Sequence, residues 1–331
     1  MKGIWARFSE PILRWFRPTP APGRWIEGRA FTWQGFIGFR PWTIPRREFR
    51  LYIPRGYSRW RRAPLVVLLH GCKQTGAELA QGTRITALAD TRGLLVLMPE
   101  QPDAANPYRC WNWFDARTAR GRGEAAIVAA MIRKVSRRWR ADAARVVVAG
   151  MSAGAALAAI MGVRHPKLVR AVISHSGIAC GAASSAFTAL AVMRGGPETD
   201  VARIASSART AFAGELTVPL LAIQGSVDDV VAPRHGAALA RQYLALNGVP
   251  VPAGSASALP PADLDTRDAT TMPHIVRTRE WHRNGRPLVR LVEIEWLGHA
   301  WSGGDPALPF NDGAPPDATA MIGDWIGALS R

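Results

Sequence analysis

Cysteine is scarce in this sequence, and long apolar runs are missing from it. Only three cysteines, Cys72, Cys110 and Cys180, occur in 331 residues, which excludes a fold built on a disulfide scaffold. No apolar run reaches the about 20 residues that a membrane-spanning helix needs. Phosphate-binding lysine motifs, dinucleotide-binding glycine fingerprints and metal-binding Cys/His clusters are also absent, so the sequence implies no cofactor and no metal site.

Negative charge is in short supply as well. The chain carries 25 Asp and Glu against 42 Lys and Arg, which gives a formal net charge of +17. A basic surface can attract nucleic acid or anionic lipid. The arginines are nevertheless spread along the whole chain, and no basic block accompanies a nucleic-acid-binding motif. The charge therefore predicts non-specific contacts only, and we expect no specific nucleic acid partner.

The first 23 residues are predicted to form an arm with a Pro-rich linker, ahead of a catalytic domain over residues 24–331. Ile4, Phe8 and Ile12 recur at helical spacing among basic residues, a pattern typical of a segment that associates weakly with an anionic or membrane surface. A floppy arm or one docked on the core is the alternative. Charged residues interrupt any apolar signal core and no small-residue cleavage site follows, so no secretory signal is predicted.

Six apolar runs predict strands that are buried on both faces of a parallel sheet. They lie at residues 64–71, 94–98, 145–149, 171–174, 218–223 and 291–296, after a β-like region at 25–53. Helical patterns lie between them at 124–139, 153–163 and 236–246. This alternation predicts an α/β fold with a doubly wound, mostly parallel sheet and helices on both faces.

Two stretches do not follow the alternation of strand and helix. Residues 181–217 lie between two predicted strands and are expected to form a small cap. Residues 250–271 are rich in Ala, Pro, Ser and Asp, and this composition predicts a mobile surface loop.

The sharpest chemical signal is Gly150-Met151-Ser152-Ala153-Gly154, which follows an apolar run and opens an Ala-rich helix. A strand before and a helix after this pattern are typical of a nucleophile elbow. Small residues flank the serine because the turn is tight, and the helix behind it directs its N-terminal dipole at a developing oxyanion. We therefore expect Ser152 to be a catalytic nucleophile.

A serine hydroxyl needs a base to take its proton, and the order Ser, acid, His is expected in such a fold. Four histidines lie well past the serine, and His299 suits the role best because glycines surround it in a loop after the last apolar run. His235 begins a helix, while His274 and His282 lie in a polar insertion, so these three are expected at the surface.

The acid is expected at the end of the strand before that histidine. The run at 218–223 leads into Gln224-Gly225-Ser226-Val227-Asp228-Asp229. Asp228 and Asp229 both qualify by residue type, since either carboxylate could accept the histidine Nδ1–H.

The oxyanion hole needs two backbone N–H groups. One is expected from Ala153, the residue after the nucleophile, and the other from Cys72 in the loop that follows an early strand. His70 is then expected to orient that loop by hydrogen bonding. No partner ligands lie at metal-site spacing from His70, so it is not expected to bind a metal.

Aromatic residues concentrate in Cys110-Trp111-Asn112-Trp113-Phe114. Trp113 and Phe114 are as readily explained by packing under the loop as by a role in binding. Trp111 and Trp301 are predicted to line an apolar groove for an ester chain. A Cys72–Cys110 bridge would tie this loop to the oxyanion loop, which gives the rigidity that preorganised stabilisation requires.

Seven motifs then occur in an order that resembles one known family. They are His70-Gly71-Cys72-Lys73-Gln74-Thr75, Pro99-Glu100-Gln101, Cys110-Trp111-Asn112-Trp113-Phe114, Arg120-Gly121-Arg122-Gly123-Glu124, Gly150-Met151-Ser152-Ala153-Gly154, His175-Ser176-Gly177 and His299-Ala300-Trp301-Ser302-Gly303-Gly304. From about Gly23 onward the chain resembles the esterase family of polyhydroxybutyrate depolymerases, type 1 catalytic domain, which has the α/β-hydrolase fold and includes feruloyl and acetylxylan esterases.

The resemblance implies a Ser152, Asp228 and His299 triad, because the family's acid lies three residues after a glycine and Gly225 satisfies that spacing. Gln224 stands where the family usually has histidine, and Ala155 where many members have a third glycine.

The resemblance further implies a serine esterase acting on hydroxyalkanoate polymer or oligomers. A feruloyl or acetylxylan-type esterase, or a peptidase or thioesterase on the same fold, are the alternatives. The family is commonly extracellular, but without a predicted signal a cytoplasmic or membrane-surface location stays open.

Overall fold

A computed structural model describes residues 21–35, 46–197, 199–213, 217–255 and 257–329. Residues 1–20, which make up most of the basic arm predicted at the N-terminus, lie outside the described residues. Within the described ranges, every helix is too short or too polar to cross a bilayer.

The main sheet of the described residues has ten strands, in the spatial order β1-β2-β4-β3-β5-β6-β7-β10-β9-β8. The strands are β1 (Arg24–Phe31), β2 (Arg46–Ile53), β3 (Ala63–Leu69), β4 (Leu95–Pro99), β5 (Ala141–Met151), β6 (Ala171–His175), β7 (Leu220–Gly225), β8 (Leu264–Asp268), β9 (Val276–Arg283) and β10 (Arg286–Ile294). Six neighbouring strands, in the spatial order β4-β3-β5-β6-β7-β10, run parallel to one another. At one edge β2 pairs antiparallel with β4 and β1 with β2, and at the other edge β9 pairs antiparallel with β10 and β8 with β9. Two short strands, β11 (Trp301–Ser302) and β12 (Asn311–Asp312), pair with each other.

The parallel centre forms where the sequence is apolar on both strand faces. All seven residues of β3 are buried, and β3 pairs with β5 so that Leu69 lies opposite Gly150. Because strands with this composition can be covered by helices on both sides, the sheet is doubly wound. The predicted α/β-hydrolase fold is confirmed by this architecture.

Nine α-helices are described, besides a short 3-10 helix at Trp33–Gly35. They are α1 (Gly76–Thr83), α2 (Ile85–Arg92), α3 (Ala116–Ala119), α4 (Gly123–Arg138), α5 (Ala153–Arg164), α6 (Ala186–Gly195), α7 (Val201–Ala211), α8 (Arg234–Leu246) and α9 (Ala318–Leu329). One face of the sheet packs against α4, α5 and α8, and the other against α1, α2 and α9. The loops at the carboxyl ends of the parallel strands therefore rest on a sheet that is fixed from both sides.

The stretch at 250–271 differs from its prediction. Residues Leu264–Asp268 form the edge strand β8 rather than part of a loop, and β8 pairs antiparallel with the unpredicted β9. All five β8 residues are exposed, so the strand lacks the apolar alternation that reveals a half-buried strand in a sequence. Residues 181–217 hold the helices α6 and α7, as a helical insertion between β6 and β7.

Candidate active site

Ser152 lies at the turn between β5 and α5, in a backbone conformation that few serines adopt. Its φ is +56° and its ψ is −120°, outside the regions allowed to most side chains, and such strain concentrates at functional sites. A serine at the start of a helix commonly caps it, but the Ser152 side chain makes no capping hydrogen bond to α5. The hydroxyl is therefore not consumed by its own helix.

The two glycines of this motif are required by close backbone contacts. A Cβ added at Gly150 would lie 2.5 Å from the Gly154 carbonyl carbon, and one added at Gly154 would lie 2.2 Å from the Leu69 carbonyl oxygen. Real Cβ atoms do not approach other atoms so closely. The sharp bend at Ser152 is thus fixed by packing against β3, the strand that leads to the loop predicted to hold the oxyanion.

His299 and Asp228 are hydrogen-bonded to each other at the carboxyl ends of neighbouring parallel strands. The His299 Nδ1 lies 3.0 Å from Asp228 Oδ1 and 2.9 Å from Oδ2. Their loops meet at Gly225, where an added Cβ would lie 2.2 Å from the Leu297 carbonyl oxygen. Asp229, the alternative carboxylate, is exposed. Of the two adjacent acids, Asp228 is the one in contact with the histidine.

Asp228 is held in its ionised form. The side chain is buried, and its Oδ1 accepts the backbone N–H groups of Val230 at 3.0 Å and Val231 at 2.8 Å. Gln224 Nε2 lies 3.3 Å from Oδ2, so the residue in place of the usual histidine also supports the acid. Burial pushes the pKa of Asp228 upward, but the bonded His299 and the Val231 N–H outweigh it and leave the pKa below its ordinary value.

His175 connects the serine turn to the histidine loop, a role that the sequence did not reveal. Its carbonyl oxygen accepts the Ser152 N–H at 2.9 Å, and its ring stacks on Trp301 with centroids 5.1 Å apart. Its Nε2 accepts the Ser302 N–H at 3.3 Å. Burial lowers the pKa of His175 to about 3, so this ring is neutral. The motif at 175–177 was visible in the sequence, but the stacking partner 126 residues away was not.

The predicted oxyanion loop lies directly beside the nucleophile. A Cβ added at Gly71 would lie 3.5 Å from the Ser152 Cβ. The Gly71 N–H donates to Gln74 Oε1 at 3.0 Å and the Lys73 N–H to the Tyr108 carbonyl at 2.7 Å. The Cys72 N–H between them has no such acceptor in the described part of the chain. Ala153 opens α5, and the first N–H of a helix has no partner within the helix.

A disulfide joins Cys72 to Cys110, the pair that the sequence analysis singled out, while Cys180 is a free and buried thiol. His70 is buried behind the oxyanion loop, with its Nδ1 at 2.8 Å from the Gly71 carbonyl and its Nε2 accepting the Gln101 N–H at 3.1 Å. Burial lowers the pKa of His70 to about 4, so the ring is neutral and orients the loop by hydrogen bonds.

The predicted groove residues are not at the surface. Trp111 and Trp301 are both 0% exposed, so neither presents a face to an ester chain, and this prediction is wrong. Trp111 packs against His70 with centroids 5.5 Å apart, and Trp301 donates its indole N–H to Thr319 at 3.1 Å. Their large apolar area is used to support the loops from below.

The other downstream histidines serve the fold. His235 is buried and lies 2.8 Å from the Val192 carbonyl, and His274 is buried against the Glu295 carbonyl at 2.9 Å, so both differ from the predicted surface positions. No cluster of three metal-ligating side chains occurs among the residues that the structure describes.

A serine on a strained strand-to-helix turn after β5, with a histidine–carboxylate pair on the loops that follow β7 and β10, is the arrangement of the α/β-hydrolase class. Within that class, the chain belongs to the esterase PHB depolymerase family, whose model matches residues 47–262.

Two curated relatives illustrate the range of this similarity. The chain is 30% identical over 251 residues to poly(3-hydroxyalkanoate) depolymerase C of Paucimonas lemoignei, across 75% of this chain and 57% of that protein. It is 30% identical over 176 residues to acetylxylan esterase A of Emericella nidulans, across 53% of each. The chain spans about half the length of the curated relatives it matches.

Among solved structures, an acetyl xylan esterase from Aspergillus awamori matches with a TM-score of 0.67 at 18% identity. The match covers 93% of this chain and 99% of that one, so the two share the fold over nearly their full lengths.

Proposed function

We propose that this protein is a serine esterase in which Ser152 is the nucleophile, His299 the base and Asp228 the acid. The observation that carries the proposal is the pair of hydrogen bonds from His299 Nδ1 to Asp228. It is supported by the strained conformation of Ser152 and by His175, which bonds to the Ser152 N–H and to the Ser302 N–H in the loop that carries His299. With Nδ1 engaged as donor, the other ring nitrogen is the acceptor that a serine proton needs.

The chemistry that these groups support is a two-step acyl transfer. Ser152 Oγ attacks the ester carbonyl while His299 takes its proton, and the ionised Asp228 stabilises the resulting imidazolium. The tetrahedral oxyanion would accept the N–H groups of Cys72 and Ala153, the latter at the positive end of α5. The alcohol leaves with the proton from His299. Water then repeats the sequence on the acyl-enzyme and releases the acid.

We propose hydroxyalkanoate esters, polymeric or oligomeric, as the substrate class. Family membership and the similarity to the Paucimonas lemoignei depolymerase across 75% of this chain support this choice. An acetylxylan or feruloyl esterase is the second candidate, favoured by the Emericella nidulans relative. The two candidates share the triad and differ only in the alcohol and acyl parts they accept.

Replacement of the nucleophile tests the activity itself. Ser152→Ala should lower kcat toward a short p-nitrophenyl ester by on the order of 10⁶. Ser207→Ala, on the exposed side of α7, serves as the control and should match the wild type. Equal hydrolysis by wild type and Ser152→Ala would refute the proposed nucleophile.

A substrate panel separates the two candidate specificities. Hydroxybutyrate oligomers, polymer film, acetylated xylan and feruloyl esters are compared at equal enzyme concentration by product release. The proposal expects the hydroxybutyrate esters to give the highest kcat/KM. A higher value for acetate or ferulate release would instead assign the polysaccharide-directed specificity.

We also propose that residues 24–331 form the catalytic domain and that the arm before them associates weakly with anionic surfaces. The arm's support is its sequence, in which Lys2, Arg7 and Arg14 alternate with apolar residues. Vesicles that contain anionic lipid should sediment more of the full chain than of a variant lacking residues 1–20. Salt at about 0.5 M should reduce this difference, because the electrostatic screening length falls to roughly 4 Å. Equal sedimentation of the two forms would refute it.

A further inference from the structure

A carboxylate that takes no part in the proposed triad is buried against Gln101 and Asn112, two residues close to the oxyanion loop in the hydrogen-bond network. Glu124, in the first turn of α4, is 0% exposed. One of its oxygens accepts Gln101 Nε2 at 2.5 Å and Asn112 Nδ2 at 2.8 Å, and the other accepts the Asn112 backbone N–H at 2.6 Å. The Arg47 guanidinium lies 3.8 Å away. Burial raises the pKa of Glu124, and these donors oppose that rise.

A buried carboxylate lowers the stability of the fold, so its presence here indicates that it has a role in the protein. A carboxylate taken out of water loses its hydration, and only a full set of hydrogen-bond donors offsets that loss. Here both oxygens act as acceptors, whereas a glutamine of the same size has only one acceptor oxygen. A buried polar network that is fully satisfied fixes one arrangement of the loops it joins.

The first connection from Glu124 to the oxyanion loop runs through Gln101. The Gln101 side chain bonds to Glu124, and its backbone N–H donates to His70 Nε2 at 3.1 Å. His70 in turn bonds through Nδ1 to the Gly71 carbonyl at 2.8 Å. The peptide unit that bears this carbonyl also bears the Cys72 N–H. Movement of Gln101 is thereby transmitted to the proposed oxyanion donor.

The second connection from Glu124 to the oxyanion loop passes through hydrogen bonds to the aromatic loop and ends in a covalent bond, the disulfide. Gln101 Nε2 also donates to the Cys110 carbonyl at 3.0 Å, and Glu124 holds the backbone of Asn112 two residues further on. Cys110 is joined by its disulfide to Cys72. Glu124 therefore fixes the aromatic loop on the C-terminal side of the cysteine that anchors the oxyanion loop, directly at Asn112 and through Gln101 at the Cys110 carbonyl.

We propose that Glu124 is a positioning residue for the oxyanion hole, acting through Gln101 and His70 on one side and through the Cys110–Cys72 bridge on the other. This inference rests on the proposed function, because it takes the Cys72 N–H as an oxyanion donor. It assigns Glu124 no contact with substrate. Its effect should appear in the transition state rather than in substrate binding, since the donors act where negative charge develops.

The variant that isolates this role is Glu124→Gln. It keeps the side-chain shape but replaces one acceptor oxygen with an NH₂ group that faces N–H donors. Loss of a single oxyanion donor costs about 10²–10³ in kcat, and partial misplacement should cost less. We expect kcat to fall about 10- to 100-fold and KM to change by less than about threefold. Affinity for a boronic acid that forms a tetrahedral adduct should fall by the same factor as kcat/KM.

Glu100→Gln is the matched control. Glu100 immediately precedes Gln101, is half-buried, and accepts the Gly76 N–H at 3.1 Å with each oxygen, yet it bonds to neither Gln101 nor His70. Its kcat should stay within about twofold of the wild type. A loss of kcat in both variants would mean that any buried charge in this region matters, and the proposal would be overturned.

A second variant keeps the test valid if Glu124→Gln does not fold. Gln101→Met retains the backbone N–H to His70 but loses the side-chain bonds to Glu124 and Cys110, so it should show the same selective loss of kcat. Folding is verified by thermal unfolding of each variant. The proposal is overturned if the folded variants keep kcat within twofold while Ser152→Ala is inactive. If Ser152→Ala is itself active, the proposed function fails first.

Discussion

The two halves of this site are held in place by different forces. The nucleophile half, comprising Ser152, Asp228 and His299, depends on backbone packing and strand pairing, as the close contacts at Gly154 and Gly225 show. The oxyanion half, comprising the loops at 70–74 and 101–112, depends on side-chain hydrogen bonds and one disulfide. Tight backbone packing is either kept or lost as a whole, whereas a network of side-chain hydrogen bonds can lose one bond and keep the others. Damage to the first half should therefore abolish chemistry, and damage to the second should reduce it.

After replacement of the nucleophile itself, the largest effect is expected from Asp228→Asn. The amide would no longer fix the histidine tautomer or stabilise the imidazolium, and such a change lowers kcat by about 10⁴ in a comparable triad. Asp229→Asn is the adjacent control, and its kcat should stay close to the wild type because Asp229 is exposed. Steady-state kinetics with a p-nitrophenyl ester measures both. A large loss in Asp229→Asn with none in Asp228→Asn would reverse the assignment of the acid.

Reduction of the disulfide should give an intermediate effect, confined to the oxyanion half. Opening the Cys72–Cys110 link frees a loop with a sequence separation of 38 residues. The free energy of unfolding should fall by about 2–4 kcal/mol. The kcat of the reduced protein should fall by less than about tenfold, since the Gln101–His70 connection remains.

Denaturant titration and kinetics with and without reductant measure these two quantities. Cys180→Ala is the control and should respond to reductant as the wild type does, because Cys180 is outside the bridge. If reductant abolished activity as completely as Ser152→Ala, the proposed contrast between the halves would be wrong.

The last effect concerns stability rather than kcat: the free energy of unfolding depends on pH, and both halves contribute to this dependence. The folded pKa values of His70 and His175 are lowered to about 4 and about 3, whereas an unfolded histidine titrates near 6.5. The unfolded chain therefore binds more protons between these values. Stability should be fully present above pH 6.5 and fall with decreasing pH, by up to about 1.4 kcal/mol per pH unit for each histidine.

Unfolding free energies measured from pH 7 to pH 5 test this dependence. His70→Asn and His175→Asn should each flatten the slope, one from the oxyanion half and one from the nucleophile half. An unchanged slope in both variants would show that these rings are not buried in their neutral form.

Local patterns predicted the nucleophile half and part of the fold. The continuous apolar runs gave the parallel strands, and the glycine spacing around Ser152 indicated the turn because its cause is a contact within one strand–turn–helix unit. Residue type alone left Asp228 and Asp229 as candidates; the family resemblance favoured Asp228, and Asp228 is the acid in contact with His299.

Features that depend on distant partners were missed or misplaced. The Glu124 network joins residues 47, 101, 112 and 124, and no spacing rule links them. Trp111 and Trp301 were expected at the surface because a tryptophan near a site has the same sequence signature whether it lines a groove or supports a loop. The exposed strand β8 is formed by pairing alone and carries no hydrophobic pattern.

One serine, held at the bend after β5, is proposed to do the chemistry. Labelling of the purified protein with a fluorophosphonate, followed by peptide mass spectrometry, identifies the reactive residue. We expect one adduct per chain on the peptide that contains Ser152, and none in Ser152→Ala. Absence of label from the wild type, or label on another residue, would refute the role of Ser152.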